Sequence, residues 1–161
     1  MTVQTRKESS DMVPPVVLVV DDEPNVLSAL ARVLRREEFG VLTASSAEEA
    51  LVVLERLLTE GQAVAVVVSD YYMPGVRGIS LLCRVRERSP LTVPIILSGQ
   101  ADAEIIQAAI DQGHVFRFFA KPWDSTELRM TLREAVAWFR SLANAPSAFA
   151  NGSGSVRKSG Q

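Results

Sequence analysis

The chain reads as a doubly wound α/β domain, with five parallel strands in one sheet and five helices distributed over both of its faces. Three observations carry that expectation. Short runs rich in valine and isoleucine recur five times. An amphipathic helical pattern follows each run, and a strand–helix–strand crossover places parallel neighbours in one sheet with the helix packed back on it. The runs are nearly continuous in apolar residues rather than alternating, as a strand buried on both sides requires.

The elements follow in order. VVLVV at Val16–Val20 is the first strand, and it ends on DDEP, three acids and a proline. Pro24 suits a first helical position, and NVLSALARVLRREE then places Val26, Leu27, Leu30, Val33 and Leu34 on one face. GVLTA at Gly40–Ala44 is the second strand. Ser46 with Glu49 forms a capping-box pattern ahead of EEALVVLERLL, which Gly61 closes. AVAVVVS at Ala63–Ser69 runs into the turn DYYMPGVRG and the helix ISLLCRVRER. TVPIIL at Thr92–Leu97 precedes ADAEIIQAAIDQG, with Gly113 as its C-terminal stop. VFRFFA at Val115–Ala120 is the fifth strand, and Asp124 with Glu127 repeats the cap before ELRMTLREAVAWFRSLA. In that last helix Leu128, Leu132, Ala135, Val136 and Phe139 form the core stripe, while Met130, Ala137 and Trp138 give a second apolar flank suited to a contact surface.

Composition bounds what such a domain can do. Its 161 residues are 47% hydrophobic and 22% charged, ordinary values for one soluble globular domain. A net charge of −2 with scattered arginines offers no general attraction for nucleic acid or anionic membrane, so neither is expected as a direct partner. No run approaches the roughly 18 apolar residues of a membrane span, and MTVQTRKESSD lacks a signal-peptide core, so the expected location is cytoplasmic. Cys83 is the single cysteine and reads as a small core residue. His114, the single histidine, reads as a surface or loop residue. Residues 1–13 read as a flexible arm and 144–161 as a flexible Ser/Gly-rich tail or linker, which leaves 14–143 as the folded domain.

The acids after the first strand acquire a purpose from the fold. In an open parallel sheet, ligands sit beyond the carboxyl ends of the strands. Asp21 and Asp22 leave strand 1, Asp70 leaves strand 3, Ser98 leaves strand 4 and Lys121 leaves strand 5, so these five residues converge on one edge. Three carboxylates this close repel one another, and a divalent cation resolves the conflict. Hard oxygen donors that leave room for water and ligand suit Mg2+. A carboxylate beside Mg2+, an ammonium and a hydroxyl has the parts for phosphoryl transfer, with Asp70 as the nucleophile that forms an acyl phosphate.

On VVDDEP, SDYYMPG, LSG and AKPW, in that order and spacing, the sequence resembles a response-regulator receiver domain of two-component signalling over residues 14–143. The resemblance implies a flavodoxin-like sheet of order 2-1-3-4-5. It implies that Asp70 accepts phosphate from a phosphohistidine of a sensor histidine kinase or a histidine phosphotransfer protein. Asp22 and Asp70 would bind Mg2+ directly, Asp21 through water, and Tyr72 through its backbone carbonyl. Lys121 would pair with the acceptor and then the phosphoryl group, Ser98 would hydrogen-bond a phosphoryl oxygen, and Phe118 occupies the place of the aromatic switch residue. Pro122 matches a position where the family often has a cis bond. A readout on the face of the fourth helix, fifth strand and fifth helix is expected, with a homodimer through that face.

Two other readings stand beside this one. Haloacid-dehalogenase-type phosphatases also use a strand-end aspartate, Mg2+ and a lysine, but need a second acid two residues after the nucleophile, where this chain has Tyr72. A phosphorylation-independent pseudo-receiver would show a gap in the acid, acceptor or lysine set, and none is present. No helix-turn-helix, cyclase or kinase pattern follows Ala143. The expectation is the receiver piece of a longer regulator, with a stand-alone protein as the alternative.

Overall fold

In the computed structural model, which describes residues 13–99, 103–112 and 114–145, one five-stranded parallel sheet runs in the order β2-β1-β3-β4-β5. Its strands are β1 Val16–Val20, β2 Gly40–Ala44, β3 Val64–Ser69, β4 Val93–Ser98 and β5 Arg117–Ala120. The helices are α1 Pro24–Val33, α2 Ala47–Thr59, α3 Gly78–Arg88, α4 Ala103–Asp111 and α5 Ser125–Ala143. Most of the expected arm and tail, and Gly113 as a helix stop, lie outside the described residues.

The continuous apolar runs form the centre of the sheet, where every residue of β1 and β3 is buried. Alternation divides their side chains between two cores. Val17 and Val19 face α1 and α5 with Leu30, Leu128 and Leu132, whereas Leu18 and Val20 face α2, α3 and α4 with Leu54, Leu81 and Ile106. A slip interrupts β3: Val16 pairs with Val64 but Val17 with Val66, so Ala65 is an extra residue. Ala65 and Val66 therefore both face the α1–α5 core, and the bulge resets which residues of β3 reach each side.

The helix caps follow the sequence pattern with one refinement. Glu49 N–H donates to Ser46 Oγ at 3.0 Å, and the Glu49 carboxylate returns to the N–H of Ser45 at 2.8 Å, one residue before the cap. Glu127 N–H donates to the Asp124 carboxylate at 3.0 Å. The first helix stops at Val33, shorter than its periodicity suggested. The next residues turn so that Phe39 enters the core and Glu37 is gripped by Arg133 of α5 through contacts of 2.6 and 2.8 Å. That bidentate pair holds the Glu37 carboxyl below the usual glutamate value and ties the α1–β2 connection to α5. Cys83, expected in the core, is half-buried, because Leu81, Leu82 and Val85 take the inward positions of α3.

Candidate functional site

Sheet register gathers the site. The Asp70 N–H donates to Val20 O at 2.9 Å, the Asp21 N–H to Ala44 O at 3.1 Å, and the Lys121 N–H to Ser98 O at 3.1 Å. Adjacent strands thus end at one level, and their next residues share a single edge. An open cleft there is lined by Asp22, Glu23, Asp70, Tyr72, Ser98, Gly99 and Lys121. All seven of the residues named from the sequence sort plainly: Asp22, Asp70, Tyr72, Ser98 and Lys121 line the cleft, Asp21 is buried beneath it, and Phe118 lies along β5 away from it.

Three carboxylate oxygens, one each from Asp21, Asp22 and Asp70, lie within 4.8 Å of one another. Asp21 and Asp70 are buried, at 1% and 7% exposure, and Asp22 is exposed. The conflict among the acids falls on Asp70. Burial first, and then the Asp21 charge, push its carboxyl above the usual aspartate value. Lys121, the Ser98 hydroxyl and the Tyr71 N–H pull the other way without reversing the shift. A cluster of hard oxygen donors with one carboxyl kept reluctant to ionise fits Mg2+, whose charge would remove the repulsion. Asp22, open to the cleft, and Asp70 at its floor are the residues that would hold the ion.

Lys121 spans the acids. Its Nζ lies 2.7 Å from Asp21 Oδ2, 3.4 Å from Glu23 Oε1 and 3.6 Å from Asp70 Oδ2. Burial works against the ammonium, yet hydrogen bonding and attraction from Asp21, with Asp70 and Glu23 adding, hold it above the usual lysine value. The lysine is therefore nearer Asp21 and Glu23 than Asp70. The peptide bond that follows it, Lys121–Pro122, is cis.

Two supports of Asp70 carry no signature in the sequence. The Ser69 hydroxyl donates to Asp70 O at 2.9 Å in a fully buried contact. Gly78, the first residue of α3, packs so closely on that same carbonyl that a Cβ would overlap it, while its N–H donates to Tyr71 O at 2.9 Å. The turn DYYMPGVRG announces a loop, and only the fold shows which of its glycines packs against Asp70. Tyr71 is buried in the α2–α4 core, and Tyr72 is 44% exposed, set edge-on to Tyr71 with the Arg77 guanidinium 5.6 Å from its ring centre. His114 sits in the α4–β5 connection, as expected.

A 2-1-3-4-5 parallel sheet with an acidic cleft at its carboxyl edge defines the flavodoxin-like class of α/β domain. Comparison with known proteins narrows the class: the family model for the response regulator receiver domain matches residues 17–133, and the chain belongs to that family. The hydrogenase transcriptional regulatory protein HoxA of Cupriavidus necator is 45% identical over 120 residues, which are 74% of this chain and 24% of HoxA. Its namesake in Bradyrhizobium diazoefficiens is 41% identical over 124 residues, 77% of this chain and 24% of that protein. Among solved structures, the signal receiver domain of an HD domain-containing protein from Pseudomonas fluorescens Pf-5 matches with a TM-score of 0.70 at 33% identity, over 80% of this chain and 98% of that one. This chain spans about a quarter of the length of the curated relatives it matches. Phosphorylation and Mg2+ binding at an acidic pocket are general to receivers, which interact with histidine kinases in two-component signalling. Among the described residues, no helix is long and apolar enough to cross a membrane.

The raised Asp70 carboxyl has a thermodynamic consequence. In metal-free protein the native state holds this proton more tightly than the unfolded chain does. The associated stability is complete below the unfolded-state value and is lost as pH rises through the folded-state value. Asp70→Asn should flatten that loss, leaving the apo variant more stable than the apo parent at neutral pH, with the gap closing toward acid. Thermal melts in chelator across pH check this, and an Asn variant less stable at neutral pH would contradict it.

Gly78→Ala should force the Asp70 carbonyl aside, lowering stability by about 1–3 kcal/mol and weakening Mg2+ binding with it. Gly40→Ala, whose Cβ would meet its nearest neighbour at 3.7 Å, should stay within about 0.5 kcal/mol of the parent. Urea melts and Mg2+ titration of the two variants compare them.

Proposed function

We propose that this chain is the phosphoacceptor module of a two-component regulator and that Asp70 receives the phosphoryl group from a phosphohistidine of a sensor histidine kinase or histidine phosphotransfer protein. The observation that carries this reading is the placement of Asp70: a buried carboxylate at the floor of an open cleft, flanked by a hydroxyl, an ammonium and two further acids. An Asp70 carboxylate oxygen attacks phosphorus as the bond to the donor imidazole breaks, and the donor nitrogen takes up a proton. Mg2+, when bound, offsets the negative charge of the incoming phosphoryl oxygens. Lys121, 3.6 Å from the attacking group, moves onto one of those oxygens, and the Ser98 hydroxyl turns to another. The domain assists its own modification and has no turnover substrate.

The response is read on the surface formed by α4, β5 and α5. Ser98 ends β4 and its neighbour Phe118 lies two residues back along the paired β5, half-buried against the core that contains Ile106. A hydroxyl drawn toward the phosphoryl group vacates space that the aromatic ring fills, which gives the two discrete arrangements a switch requires. Met130 at 61% and Trp138 at 54% exposure offer apolar area for a symmetric dimer on the same surface. The names of the relatives support placement of this receiver in a transcriptional regulator.

Acetyl phosphate with Mg2+ should add one phosphoryl group, seen by intact mass, and the addition should vanish in Asp70→Asn. Equal labelling of that variant would sink the assignment. Beryllofluoride with Mg2+ should change tryptophan emission, since Trp123 follows Lys121 by two residues and Trp138 lies on the reading surface. Unchanged emission and oligomeric state at confirmed occupancy would remove the proposed readout.

A further inference from the structure

Glu23 touches the reaction's cation without being required for the acid cluster. It caps α1 through its backbone carbonyl, which accepts from Val26 N–H and Leu27 N–H, and its own N–H donates to Asp21 Oδ1 at 2.9 Å. These backbone contacts, and an extended conformation at φ −96° and ψ 112°, aim the side chain over the cleft. There Oε1 approaches Lys121 Nζ at 3.4 Å, beside the 2.7 Å contact to Asp21, while Asp70 Oδ2 stands farthest from the same nitrogen at 3.6 Å.

We propose that Glu23 is a positioning residue that holds Lys121 on the Asp21 side of the cleft in the unphosphorylated protein, and so sets how readily the lysine crosses to a phosphoryl group. This rests on the reading of Asp70 as acceptor. An ammonium has three donors, and two are directed at Asp21 and Glu23 in this arrangement. Reaching a phosphoryl oxygen on Asp70 requires the lysine to loosen this hold. Glu23 is the contact it gives up first, because it is the longer of the two and its carboxylate is 63% exposed, where solvent weakens an ion pair. Asp21, buried to 2% at its side chain, retains its grip. Glu23 therefore adjusts the crossing rather than permitting it.

The test compares Glu23→Gln and Glu23→Asp with the parent, by initial rate of labelling with acetyl phosphate and by the beryllofluoride concentration needed for half-saturation. Glu23→Gln keeps the backbone cap and removes the charge. It should label faster and bind beryllofluoride tighter by roughly two- to fivefold, the scale of an exposed ion pair. The gain should shrink as salt shortens the screening length from about 10 Å at 0.1 M to about 3 Å at 1 M. Glu23→Asp separates contact from charge, since it keeps the negative charge near the cleft but withdraws it by one methylene. If Glu23 acts through Lys121, the Asp variant gains as the Gln variant does. If the Asp variant behaves as the parent while Gln gains, bare repulsion of the phosphoryl anion is responsible and the proposal fails. No gain in either variant, in a parent that is labelled at Asp70, also overturns it. A parent that takes no label removes the acceptor reading itself, and the role of Glu23 with it.

Discussion

Two buried carboxylates share one lysine, and the rest of the fold is arranged to make that arrangement tolerable. Asp21 and Asp70 are at most 7% exposed, and taking such charges out of water costs several kcal/mol apiece before any partner is counted. The lysine offsets more of this for Asp21, which it touches at 2.7 Å, than for Asp70 at 3.6 Å. The Asp70 carboxyl therefore stays reluctant to ionise, and the site retains an unmet demand for positive charge. Both proposed properties of the site, affinity for a cation and attack by Asp70 on phosphorus, would draw on this same imbalance.

Only a rigid scaffold can keep charges so placed, since the chain would otherwise relax them into solvent. Rigidity comes from β1 and β3, whose valines fill both cores and whose ends carry the acids. Asp70 is held from three further directions, by Val20 O through its N–H, by the Ser69 hydroxyl at its carbonyl and by Gly78 packed against that carbonyl. Large-scale order in the sheet is thereby converted into placement of one carboxylate.

Much of this was legible in the sequence because it rests on local rules. Five apolar runs, each followed by a helical stripe, define strand and helix types, and the observed strand ends lie within two residues of those expected. The site residues were legible for the same reason, being the polar groups that terminate the runs. Features created by distant contact were not. The bulge at Ala65 depends on how β3 pairs with β1, and nothing in AVAVVVS marks it. The tie between the α1–β2 connection and α5 depends on Arg133, 96 residues away from Glu37. Nothing in DDEP marks the role of Glu23, because the lysine it meets lies 98 residues further along the chain. Gly78 and Ser69 belong to the same class: their residue types are ordinary for a turn and a strand, and only the packed structure reveals which carbonyl they press upon.

On the proposed reading of Asp70 as acceptor, the position of Lys121 favours a response that runs toward β5 rather than into the sheet. β1 and β3 are buried on both faces, where close packing makes any shift costly. β5 is a four-residue edge strand with only Phe119 buried, and it runs directly into the lysine. Its last residue pairs with Ser98, and the Lys121 N–H bonds the Ser98 carbonyl, so the two groups that would follow the phosphoryl oxygens are themselves joined. Phe118 packs toward α4 and Phe119 toward α5, which places one aromatic side chain of this strand against each core. A displacement at the lysine and serine thus meets its least resistance along β5, where a half-buried ring can move at the smallest cost in packing.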